Sequence, residues 1–149
     1  MGGSASNVGK TTLAERLIRD SVRSGATVAV KVSVRESPCE TTIAVLRPAD
    51  DVGHRRDTQR LLHAGAACVI WVTVWRPNVR HGLAQGLSEA RAQRPRTVVF
   101  ESTSAGIELR RIHDSWFIAG AGPWKPWAER HRRRAHHVIS APFEVVACR

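Results

Sequence analysis

Residues 1–20 read MGGSASNVGKTTLAERLIRD, and how this stretch is read decides the fold. Gly9-Lys10-Thr11-Thr12 stands directly before a run in which Leu13, Leu17, Ile18 and Val22 share one stripe and Gly25 provides the stop. That spacing predicts a helix over 11–23. A glycine-rich turn into a helix offers an anion both free backbone N–H groups and the positive end of the helix dipole. The phosphate-loop pattern G-x-x-x-x-G-K-[ST] puts its first glycine five residues before Gly9, where this chain has Ser4. Gly3 lies one residue further back, which gives a loop one residue longer. The candidate nucleotide-binding residues are Gly3, Ser6, Asn7, Val8, Gly9, Lys10, Thr11 and Thr12. In this reading the loop amides surround phosphate oxygens, Lys10 meets the β- and γ-phosphates as the catalytic cation, and the Thr11 hydroxyl holds Mg²⁺.

A loop of this kind normally follows a buried strand that aims it. Here it begins at the first residues. The expectation is therefore that the first strand, about 5 to 8 apolar residues as in a typical strand, lies upstream of Met1. The sheet would then have a central gap and the domain would be N-terminally truncated.

Working outward, ATVAVKVSV (26–34) alternates and is valine-rich, CVIWVTV (68–74) reads as a buried strand, and TVVFES (97–102) and SWFIAGAG (115–122) read as two more. HVIS (137–140) and FEVVA (143–147) are short strand candidates, and 35–56 reads as a loop around a small strand, TIAVL (42–46). Helices are expected over 57–66, capped by Asp57 and closed at Gly65, over 78–93 with interruptions at Gly82 and Gly86, and over a basic segment, 128–135. Strands alternating with helices predict one α/β domain over 1–149, a mostly parallel sheet covered on both faces.

The 149 residues carry a formal charge of +10, yet only Lys10, Lys31 and Lys125 of the 23 basic residues are lysines. Where arginine serves as the general cation, a retained lysine marks a place that wants a compact ammonium, as a phosphate does. Cys39, Cys68 and Cys148 are odd in number and show no metal-ligand spacing. No apolar run approaches the ~18 residues of a membrane span, and there is no signal-peptide pattern. A cytoplasmic protein without a membrane partner is expected.

Glu101, at the end of a strand, is a candidate Mg²⁺ ligand and catalytic carboxylate. Lys31, Asp57 and Arg60 are candidates for contact with a second substrate, with an Asp57–Arg60 pair or plain helix capping as the simpler role. Asp50 and Asp51, beside a proline, read first as turn formers. The tryptophans of PWKPW (123–127) could stack on a flat ring or pack their loop onto the sheet. ERHRRRAHH (129–137) reads as a basic solvated face before it reads as a nucleic-acid surface, and His136 and His137 point apart on a strand.

Two families share these features. The loop resembles that of dethiobiotin synthetase. The body, with GATVAVKVS ending near Lys31, DTQRLLHAGAACVIWVTV and TVVFES, resembles the molybdopterin-guanine dinucleotide biosynthesis adaptor (MobB-like) family over about residues 2 to 102. Asp57, Thr58, Arg60, Ala64, Gly65 and Ala66 carry the motif that favours the second. Glu101 is followed by Ser102 where that family has glycine. The resemblance implies a three-layer P-loop NTPase fold, GTP or ATP with Mg²⁺, slow hydrolysis and a homodimer. The implied partner is the nucleotidyltransferase that joins GMP to molybdopterin. An ATP-dependent ligase like dethiobiotin synthetase, and a basic nucleic-acid-binding module, are the alternatives.

Overall fold

A computed structural model describes residues 1–3, 8–50, 56–109, 112–121 and 123–141. Ser6 and Asn7 of the loop, Asp51 and the expected strand over 143–147 lie outside the described residues. In chain order the elements are β1 (Gly2–Gly3), α1 (Lys10–Ser21), β2 (Thr27–Arg35), β3 (Thr42–Leu46), α2 (Arg56–His63), β4 (Cys68–Trp75), α3 (Val79–Ala92), β5 (Thr97–Glu101), α4 (Thr103–Glu108), β6 (Trp116–Ala119), α5 (Ala128–Arg132) and β7 (His137–Ser140).

The architecture is α/β. One sheet has the order β3-β4-β2-β5, in which β2 runs parallel to β4 and β5 while β3 is antiparallel to β4. The other, β1-β6-β7, is wholly parallel. Met1 links the two, because its amino group donates to Phe100 O (2.6 Å) and its carbonyl accepts from Ser102 N (2.9 Å). The expected central gap is therefore occupied, by a strand of only two residues. Gly2 and Gly3 pair with Phe117 and Ile118, and Met1–Gly3 fill the place between β5 and β6.

Strand alternation sorts the core into two faces. Ala29, Val69 and Val99 pack with Leu13, Ile18 and Leu61 of α1 and α2. Val28, Val30, Ile70, Val72 and Val74 pack with Val79, Leu83 and Ala90 of α3 and with Ala105 of α4. Gly82 and Gly86 do not interrupt α3. Both are buried, and a Cβ at Gly86 would stand 2.8 Å from a Val72 methyl, so their lack of a side chain lets the helix lie close on the sheet.

Three local expectations are corrected. Asp57 sits inside the first turn of α2 rather than ahead of it as a cap. Residues 103–108, to which no element was assigned from the sequence, form α4, because the Ser102 hydroxyl accepts from Ala105 N (3.3 Å) and caps a short helix. The basic helix stops at Arg132, three residues short of the expected end.

Candidate functional site

Gly9 is the last residue before α1 and has φ 91°, a left-handed backbone that glycine adopts without steric cost. Gly3 is needed for a different reason: a Cβ there would collide with the Val8 side chain, so the two ends of the loop could not close. These two glycines bring the N-terminus of α1, with Lys10, Thr11 and Thr12, up to the C-terminal edge of the sheet.

Register then builds the rest. Lys31 and Glu101 are direct partners across the parallel β2–β5 pair and share the face that packs on α1 and α2. Lys31 Nζ donates to Glu101 Oε2 (3.3 Å) and to Asp57 Oδ2 of α2 (2.8 Å). The other carboxylate oxygen of Glu101 accepts the Thr11 hydroxyl at 2.8 Å. Glu101 is 7% exposed and Thr11 8%, so this hydrogen bond is nearly dry and correspondingly strong. The structure thus joins Thr11, Lys31, Asp57 and Glu101 into one network supplied by four elements.

Arg60 behaves differently. Its guanidinium forks onto Glu15 (3.0 and 2.9 Å) and also donates to Thr12 Oγ1 (3.1 Å), which ties α2 to α1. The expected Asp57–Arg60 pair is replaced by Asp57–Lys31 and Arg60–Glu15. Asp50 accepts from Arg47 N, the turn-forming role. His136 and His137 both approach Asp114, and no group of three or more metal-ligating side chains occurs among the described residues.

The network opens into a polar cleft of about 590 Å³. All three lysines of the chain line it, although they come from α1, β2 and the segment before α5. Burial pushes the Lys10 ammonium below its ordinary pKa; after burial the largest contribution is the charge of Lys125. Members of the cleft that were not singled out as site residues in the sequence include Ser33, Glu36, Arg76, Thr103 and Ser104. Arg76 follows β4, forks onto Glu36 and lies over the Trp127 ring, 3.8 Å from its centroid. Lys125 was visible in sequence as one of three lysines, and its convergence with the other two was not. Of the PWKPW tryptophans, Trp124 takes the packing role, leaning on Phe117 and donating to Gly120 O, while Trp127 carries Arg76 and lines the cleft.

Compared with family models, curated proteins and solved structures, the chain matches none of them. No helix among the described residues is long and apolar enough to cross a membrane.

Proposed function

We propose that this chain binds a nucleoside triphosphate with Mg²⁺ in the cleft, using a three-layer P-loop NTPase fold. Following its resemblance, we read it as a slow GTPase adaptor of molybdenum-cofactor biosynthesis, a cytoplasmic homodimer serving the molybdopterin nucleotidyltransferase. The observation that carries the nucleotide reading is the Thr11–Glu101 hydrogen bond at the head of α1, beside Lys10. Thr11 donates its only proton to Glu101, so the hydroxyl oxygen keeps its lone pairs for a cation. A carboxylate stands directly behind it. That donor set, all oxygen and anchored on a helix and a strand, fits Mg²⁺, which would neutralise phosphate charge when bound. Lys31 offsets the Glu101 charge in the absence of metal and limits the cost of burying it.

Slow hydrolysis is consistent with the remaining groups. Each carboxylate among the described residues lining the cleft, Glu36, Asp57 and Glu101, is in an ion pair with an arginine or lysine. None is left as an unpaired general base for water. What the residues supply is phosphate charge compensation by Lys10, the helix N-terminus and the loop amides.

Calorimetric titration of GTP and ATP, each with and without Mg²⁺, into the wild-type chain and Lys10→Ala tests the proposal. Saturable, Mg²⁺-dependent binding that disappears in Lys10→Ala is the expected result. A preference for GTP selects the adaptor, and ATP turnover that requires a carboxylated substrate selects the ligase. No saturable binding of either nucleotide sinks the reading.

A further inference from the structure

The sheet order makes the segment after β6 a bridge. β6 ends at Ala119, and eight residues later Trp127 lies beneath Arg76, which directly follows β4. Between β6 and β4 stand β1, β5 and β2; the phosphate loop follows β1, Glu101 ends β5, and Lys31 lies mid-way along β2 level with Glu101. The 123–127 strap therefore passes over the three strands that build the candidate nucleotide site. Its sequence suits a span. Pro123 and Pro126 restrict the backbone, and the residue before a proline, here Lys125, is held extended. Both ends are pinned, by Trp124 on Phe117 and by Arg76 on Trp127.

Lys125 is the charged residue at the middle of this strap. It is half-buried and lines the same cleft as Lys10 and Lys31, and its ammonium lies 6.0 Å from the Trp127 ring centroid. Among the described residues no carboxylate lies within ion-pair distance of it, although its charge acts on Glu36, which is held by Arg76; Lys31 has two such partners and Arg76 one. Lys10 and Lys125 line the same open polar cavity from separate elements, and their charges repel, partly offset at Lys10 by Glu101 and Asp57. A polyanion between them reverses the sign of the interaction.

Resting on the nucleotide reading above, we infer that Lys125 is a second phosphate ligand: the strap carries it over the phosphate loop to face the terminal phosphate of a bound nucleoside triphosphate. Lys10 holds the β- and γ-phosphates from the side of α1, and Lys125 holds the γ-phosphate from above. The site therefore distinguishes triphosphate from diphosphate through a residue outside the phosphate loop, and the strap fastens more tightly over the first than over the second.

Affinities of Mg²⁺-GTP, a non-hydrolysable GTP analogue and Mg²⁺-GDP, measured on the full chain as wild type, Lys125→Gln, Lys125→Arg and Lys10→Ala, test this. The same set with adenine nucleotides follows if ATP is preferred. The expected result is a loss of about ten-fold for the triphosphates in Lys125→Gln, the size of one charge-assisted contact. Diphosphate affinity should change less than two-fold, with partial recovery in Lys125→Arg. Trp127 fluorescence that shifts on adding triphosphate and not diphosphate supports closure of the strap. An equal loss for both nucleotides, or no loss for either, overturns the Lys125 assignment while Lys10→Ala still reports whether the nucleotide reading stands. Absence of binding by the wild type overturns both.

Discussion

The inner and outer walls of the cleft are built by different means. Thr11, Lys31 and Glu101 project from a helix and two paired strands, and their contacts follow from ladder register and strand alternation. Lys125 and Trp127 sit on an irregular strap, held by an Arg76–indole stack and two prolines. An inner wall fixed by the ladder costs little to keep assembled. An outer wall held by a few side-chain contacts has less to keep it in place, and the proposed closure on a ligand depends on that difference.

The sharpest division between the walls is expected from binding. Lys10→Ala should reduce nucleotide affinity at least a thousand-fold, about 4 kcal/mol, while the fold survives; calorimetry together with a thermal melt shows both. If stability falls as far as binding, the inner wall is structural rather than functional.

Acid should loosen the outer wall next. His131, in α5 directly after the strap, is fully buried; its ring lies so close to Gly2 and Gly106 that a Cβ at either would collide with it. Neither ring nitrogen makes a hydrogen bond of good geometry among the described residues, and only a weak approach to the Thr103 backbone favours the charged ring. Burial, with a smaller contribution from the N-terminal charge, lowers its pKa from 6.5 to about 4. The folded state holds the neutral ring, so between these values the unfolded chain binds more protons. Stability is full above pH 6.5 and falls as pH drops towards 4, by up to ~3 kcal/mol from this one group. Denaturant melts of wild type and His131→Phe at pH 7.5, 6 and 4.5 isolate it: the difference between the two should shrink or reverse with acid. A constant difference would mean that His131 does not titrate in this window.

A smaller effect is expected at the hinge between metal and fold. Glu101→Gln keeps the shape but removes the charge that Lys31 and Thr11 meet, at a cost of about 2 kcal/mol in stability. It should also weaken the Mg²⁺ dependence of nucleotide binding. If Mg²⁺ dependence is unchanged, Glu101 serves only Lys31.

Smallest of all, Trp127→Ala removes a partly exposed cation–π contact, about 1 kcal/mol or less. It should raise proteolytic sensitivity of 120–128 while leaving diphosphate affinity intact. Equal sensitivity in wild type and variant would show that the stack does not hold the strap.

The helix after Gly-Lys-Thr-Thr, the strands β2, β4, β5, β6 and β7 and the small strand β3 were all legible in the sequence, because 3.6-residue and two-residue periodicities are local properties. Helix α4 was not, since six residues with Ile107 as their one large apolar side chain carry no period and only the Ser102 cap marks its start. Glu101 was legible as a strand-end charge; Lys31, read as ending its strand, stands in the middle of β2, and the contact between the two was not legible. It depends on which strands are neighbours, and β2 lies between β4 and β5 only in the folded sheet. The same holds for Arg60, which chose Glu15 over the residue three places before it because α2 lies against α1.

By itself, then, the sequence determined an α/β chain with a glycine-led helix start and a sparing use of lysine. Only the tertiary structure decided that residues 1–3 stand between β5 and β6, and that lysines 10, 31 and 125 meet in one cleft. The physical reason is range: periodicity, capping and backbone freedom act within a few residues of the chain. The meeting of charges separated by 21 to 115 positions depends on strand order, which the whole core sets at once.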